Sequence, residues 1–172
     1  MKELRPITPE ELENVCRLIG RDWMLITAAG KDKSGKEAVN TMTASWGGMG
    51  VLWNKPVAFC FIRPQRYTFE LTEQSVRLSL SFFGEEHRAA LRLCGTKSGR
   101  DIDKFAEAGL TPAWKDDTPY VDEARLVLLC RKLYADDLKE GAFIDKSLLS
   151  NYKDGDFHRM YVVEIEQAFI KE

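Results

Sequence analysis

Between Val76 and Phe82 apolar and polar side chains alternate, with Val76, Leu78, Leu80 and Phe82 on one side and Arg77, Ser79 and Ser81 on the other. Successive side chains of an extended chain point to opposite faces, so this pattern specifies a half-buried strand with a serine-bearing polar face. It is the clearest of about six strand-like segments. Trp23 to Ala29 and residues 37 to 46 flank the charged turn Lys31-Asp32-Lys33-Ser34-Gly35-Lys36, and the second of them stops at the Gly47-Gly48 break. Pro56 to Ile62 is a short apolar run expected as a buried strand. Ala124 to Tyr134 and Phe157 to Phe169 complete the set. Short helices are expected at Tyr67 to Gln74, Glu85 to Leu93, Asp101 to Ala108 and, weakly, Ala142 to Leu149. At the start, Thr8-Pro9-Glu10-Glu11 reads as a capping box, Leu12, Val15, Cys16 and Ile19 recur at helical spacing, and Gly20 can close the helix. Strands and helices do not alternate in a βαβ rhythm, and no G-x-G-x-x-G is present, which disfavours a Rossmann architecture. A mainly β fold with inserted helices, a mostly antiparallel barrel, is the expectation.

A chain of 172 residues fits a single domain over 1–172, with 1–20 as an N-terminal helical segment. The formal net charge of −2 gives no global attraction to nucleic acid or to an anionic membrane. No apolar run approaches the roughly 20 residues of a spanning helix. Met1-Lys2-Glu3-Leu4-Arg5-Pro6 has no apolar signal-peptide core, so the cytoplasm is the expected compartment. Cys16, Cys60, Cys94 and Cys130 are widely spaced and are expected as free thiols. The two histidines, His87 and His158, begin no metal-ligand motif.

Four segments can carry chemistry. Arg63-Pro64-Gln65-Arg66-Tyr67-Thr68 lies where a strand ends and a helix begins. Unpaired helix N–H groups, two guanidiniums and a hydroxyl there suit a phosphate, and the same residues would serve as solvated arginines with a capping threonine. In Asn40-Thr41-Met42-Thr43-Ala44-Ser45-Trp46-Gly47-Gly48, Thr43 and Ser45 share one strand face while Met42, Ala44 and Trp46 share the other. Small residues let a planar ligand approach the backbone, although a plain hairpin strand needs nothing else. Cys94-Gly95-Thr96-Lys97-Ser98-Gly99 is a glycine-rich connector without the order of a P-loop, so a nucleoside triphosphate is rejected. Its lysine and hydroxyls can face a cofactor, and Lys97 could lower the pKa of Cys94. His158, at the start of the last strand, is either structural or on the substrate side of a pocket. No G-x-S-x-G is present, and no cysteine–histidine pair close in sequence supports a nucleophilic reading. A cofactor carrying the chemistry fits that shortage of reactive groups. A pocket for something flat at one end and anionic at the other fits flavin mononucleotide (FMN).

These motifs, together with Leu80-Ser81-Phe82-Phe83 and Leu93-Cys94-Gly95-Thr96-Lys97-Ser98-Gly99-Arg100-Asp101, occur in the order found in flavin reductase-like proteins, and the chain resembles the flavoredoxin-like branch most. The resemblance covers roughly residues 20 to 170. It implies an antiparallel, Greek-key-like FMN-binding split β-barrel, usually a homodimer with FMN near the subunit interface. It places Met42, Thr43, Ala44, Ser45 and Trp46 along the flavin and ribityl chain, and Arg63, Arg66, Tyr67 and Thr68 at the phosphate. Ser81, Phe82, Cys94, Gly95, Lys97 and Ser98 would border the ring, with Ser81 standing where many flavin reductases carry asparagine. His158 matches a histidine on the nicotinamide side, the candidate for a catalytic role. The implied activity is hydride transfer from NAD(P)H to FMN with onward delivery of electrons. The alternative is a flavoredoxin-type electron carrier that exchanges electrons with a redox partner protein and does not oxidise NAD(P)H.

Overall fold

The computed structural model describes residues 4–8 and 13–171. Its centre is an eight-stranded sheet, antiparallel at every pairing, in the order β3-β2-β6-β9-β10-β5-β4, with β1 added along β10. The strands are β1 (Leu4–Ile7), β2 (Met24–Lys31), β3 (Glu37–Ala44), β4 (Gly47–Leu52), β5 (Lys55–Ile62), β6 (Arg77–Phe82), β9 (Leu126–Asp137) and β10 (Arg159–Lys171). A separate hairpin pairs β7 (Pro112–Lys115) with β8 (Thr118–Val121). The helices are α1 (Val15–Arg17), α2 (Tyr67–Gln74), α3 (Arg88–Thr96) and α4 (Lys104–Ala108).

The sheet curls around one apolar core. Met24, Ile26, Met42, Ala58, Cys60, Leu78, Leu80, Phe82, Leu128 and Tyr161 come from six strands and meet inside it, with Leu71 of α2. Each fully buried aliphatic side chain contributes roughly 1.5–3 kcal/mol over exposure, so this common interior holds the curl. A second cluster lies on the other face of β2, β6 and β9, where Leu25, Val127 and Leu129 pack with Leu91, Phe105 and Val121.

That second layer alters the expected half-buried strand. Ser79 and Ser81 are fully buried, because β8 covers the face they occupy. The Ser79 hydroxyl donates to the Pro119 carbonyl at 2.6 Å, and the Val121 N–H donates to Ser81 Oγ at 3.5 Å. Buried hydroxyls need such partners, and here the hairpin backbone supplies them. The hairpin is invisible to periodicity because its turn, Asp116-Asp117, holds both residues at positive φ (47° and 60°) without the glycine that marks such turns. Likewise Gly47-Gly48 is not a break: Gly47 begins β4 and pairs with Cys60.

Of the expected N-terminal helix, Pro9 to Leu12 lie outside the described residues. The described part is capped by Asn14, whose side chain accepts from the Arg17 N–H at 3.1 Å. It continues as a π turn over Leu18–Asp22, past Gly20, with Leu18 and Ile19 buried. Cys60, Cys94 and Cys130 are buried free thiols, and Cys16 is exposed. Among the described residues no helix is long and apolar enough to cross a membrane.

Candidate functional site

At Ala44 the strand β3 ends, and Ser45 and Trp46 turn the chain into β4. The corner sits beside the C-terminal end of β5 and the N-terminal end of β10, where Ile62 pairs with Arg159. A cavity of about 220 Å³ opens there, lined by Met42, Thr43, Ala44, Ser45, Trp46, Phe61, Arg63, Arg66 and His158. The chain bends at its mouth, so residues from both faces of β3 reach it.

One end is cationic. The turn between β5 and α2 delivers Arg63 and Arg66. Arg66 is part-buried, and its Nη1 and Nη2 donate to the carbonyls of Gly95 at 2.9 Å and Cys94 at 3.1 Å, at the end of α3. Helix C-terminal carbonyls carry partial negative charge, so they hold a guanidinium in place. Lys104 joins them: buried to 3% exposure, its Nζ donates to Cys94 O at 2.9 Å and Thr41 O at 3.0 Å. Burial, then the Arg66 charge, pull its pKa down to about 8. Arg63 is tied differently. Its guanidinium pairs with the Asp156 carboxylate, donates to Asn151 O at 3.0 Å and lies 5.0 Å from the centre of the Tyr152 ring. Gln65 Nε2 donates to the same carboxylate at 2.7 Å.

The other end is aromatic. The His158 ring lies 5.3 Å from that of Trp46 and 6.4 Å from that of Phe61. His158 Nδ1 and the Tyr152 hydroxyl are 2.9 Å apart, one donating and the other accepting according to the tautomer. Tyr152 in turn stacks on Phe157 at 4.8 Å. Burial, reinforced by Arg63, lowers the His158 pKa to about 4, so the imidazole is neutral at pH 7.

The remaining expected residues lie elsewhere in the chain. Tyr67 turns to the opposite side of the wall and lines a separate cavity with Val39, Asn40, Gly99 and Lys104. Thr68 is fully buried in the first turn of α2, where its hydroxyl accepts from Asn40 Nδ2 at 2.9 Å. Ser81 lies beneath β8, and Phe82 points into the barrel core. Cys94 and Gly95 offer their carbonyls to Arg66 rather than a side chain to the cavity. Burial raises the Cys94 thiol pKa against the opposing charges of Lys104 and Arg66, so the Lys97-activated thiolate is not what forms. Lys97 is exposed beyond α3, and Ser98 Oγ accepts from the Arg100 N–H at 3.2 Å. Thr43 does line the cavity, but its hydroxyl donates to Leu91 O. Two residues were missed. Phe61 was hidden in an apolar run that reads as pure core. Lys104 sits on a helix whose lysine looks like any solvated one, and only the convergence of β3, α2 and α3 buries it.

The family model described as "Flavin reductase like domain" matches residues 16–172. No curated protein matches in sequence comparison. Among solved structures, an FMN-binding protein from Thermus thermophilus with bound p-hydroxybenzaldehyde superposes with a TM-score of 0.68 at 19% identity, over 100% of this chain and 83% of that one. Flavoredoxin of Desulfovibrio vulgaris (Miyazaki F) gives 0.66 at 21% identity, over 87% and 69%. The flavin reductase of styrene monooxygenase from Pseudomonas putida S12 gives 0.61 at 13% identity, over 88% and 80%. The strand order above is thus that of a split β-barrel, and the chain belongs to the flavin reductase-like family.

Proposed function

We propose that the cavity at the β3–β4 corner binds FMN and that the protein passes a hydride from NAD(P)H to that flavin for onward delivery to an acceptor. The observation that carries this reading is the polarity of the cavity, with guanidiniums at one end and Trp46, Phe61 and neutral His158 at the other. FMN is built the same way, a dianionic phosphate joined to a flat ring. The residues present fit it. A guanidinium has five N–H donors, and the bonds from Arg66 to Cys94 and Gly95 leave about three for a phosphate. The edge from Met42 to Ser45 carries no large side chain except Met42, which lets a ring approach the strand.

Bound FMN would supply the two-electron chemistry, and the chain's tasks are positioning and electrostatics. Arg66 anchors the phosphate end. Trp46 and Phe61 form an apolar wall beside the ring and exclude water from it. Hydride transfer demands no general acid or base, consistent with a His158 that is uncharged at pH 7 and bonded to Tyr152. His158 then shapes the wall instead of moving a proton.

A cavity of about 220 Å³ is below the roughly 300–1,000 Å³ of small-molecule sites, so one chain encloses part of such a ligand. Trp46 at the corner, Val51 on β4 and Trp53 in the turn after it stand exposed. This supports a homodimer in which a second copy covers that rim; a monomeric mass by light scattering with FMN bound would rule it out. Anaerobic stopped-flow with NADH and NADPH tests the reductase reading. Rapid bleaching of bound flavin by either is expected. No bleaching by either, with flavin still bound, would overturn it in favour of an electron carrier of the flavoredoxin kind.

A further inference from the structure

We propose that Lys104 is a positioning residue for the anion end of the cavity: it and Arg66 grip the same Cys94 carbonyl, and this shared oxygen fixes where Arg66 presents its free N–H groups. The inference rests on the FMN reading above. Lys104 Nζ and Arg66 Nη2 lie 2.9 Å and 3.1 Å from Cys94 O. The second Lys104 bond, to Thr41 O at 3.0 Å, ties this knot to β3 immediately before Met42, where the cavity wall begins. The ammonium therefore ties β3 to α3, and the turn carrying Arg66 joins them through the same Cys94 oxygen. Lys104 does not line the FMN cavity. It lines the neighbouring one, so it acts on the ligand through Arg66.

Two cations on one oxygen repel each other, and the partial charge of the α3 C-terminus compensates only part of it. A phosphate dianion beside Arg66 supplies the remainder. The groups around Lys104 are few. Arg66 and Tyr67 come from the start of α2, and Cys94 from α3. Glu37 of β3 shares the neighbouring cavity, and on its own segment Asp103 caps α4 by accepting from the Ala106 N–H. With a free-state pKa of about 8, Lys104 begins to lose its proton just above neutrality, and a bound dianion opposes that loss. FMN affinity should therefore fall as pH rises through this range, and FMN should take up protons when it binds there. Riboflavin, which has the ring without the phosphate, should do neither.

The experiment titrates FMN and riboflavin into the wild-type protein, Lys104→Met and Lys104→Arg across neutral to alkaline pH. Lys104→Met is expected to weaken FMN by about tenfold or more at neutral pH, as loss of the charge-assisted bond that holds the shared Cys94 carbonyl should, with riboflavin within about twofold and the pH dependence gone. Lys104→Arg should hold FMN affinity flat across the range. Equal weakening of both ligands by Lys104→Met would reduce Lys104 to a structural role and overturn the proposal. Should Lys104→Met not fold, calorimetry of the wild-type protein in two buffers of different ionisation enthalpy decides: no proton uptake with FMN at mildly alkaline pH overturns it. A wild-type protein that binds neither ligand overturns the FMN reading along with it. One that binds FMN without pH dependence overturns the role of Lys104 alone.

Discussion

His158 shows how far a side chain's role depends on its surroundings. In sequence it is a lone histidine at a strand start, open to a structural or a chemical reading. In the fold it is enclosed by Trp46, Phe61 and Tyr152, and burial holds its pKa at about 4 instead of the usual 6.5. The folded pKa is the lower one, so between these values the unfolded chain binds the proton that the folded chain refuses. Stability must then fall as pH drops from 6.5 towards about 4, and level off for this group below that. Urea unfolding at neutral and mildly acidic pH measures it: His158→Phe should flatten that part of the pH profile, and an unchanged slope would contradict the neutral buried imidazole. Residues read from local motif, such as Met42 to Trp46, Arg63 and Arg66, do meet at one cavity, because a corner and a turn keep sequence neighbours together. Thr68 and Ser81 do not face it. A hydroxyl is as useful inside a packed layer as in a binding site, and sequence alone cannot tell which partner it will find. Lys104 was illegible for the opposite reason, since three separated segments create its environment.

Among the elements, the strands with clear alternation or apolar runs were legible, and those defined by turns were not. The hairpin β7–β8 has the exposed Trp114 and a turn without glycine, so neither pattern nor punctuation marks it. Its effect is large, because it converts the polar face of β6 into a second buried layer. β4 was concealed behind two glycines that read as a stop. Gly47 is there for a physical reason: its φ is +156°, and a Cβ on it would lie 2.6 Å from the Phe59 carbonyl oxygen of the paired strand. Backbone cannot retreat from that contact as a side chain would. Gly47→Ala should cost about 1–3 kcal/mol of stability, seen as a lower urea midpoint, and should loosen the corner that carries Ser45 and Trp46. A midpoint equal to wild type would mean the corner is softer than this geometry implies.

At the scale of the whole molecule, the curled sheet, α2 and α3 bring a strand edge, an arginine turn and a helix C-terminus to one place. That convergence separates a pocket with two different ends from a set of unrelated motifs. The antiparallel barrel was legible from the missing βαβ rhythm, whereas its two-layered character and the buried lysine behind the anion end emerged only from the assembled fold. Arg66 is the proposed anchor of the FMN phosphate. The most direct test is equilibrium titration of FMN into the wild-type protein and Arg66→Ala, followed by flavin fluorescence or absorbance. Saturable FMN binding is expected, weakened in Arg66→Ala by about 2 kcal/mol or more, as loss of hydrogen bonds to a charged group should do. A wild-type protein that ignores FMN, or an Arg66→Ala dissociation constant equal to wild type, would contradict it.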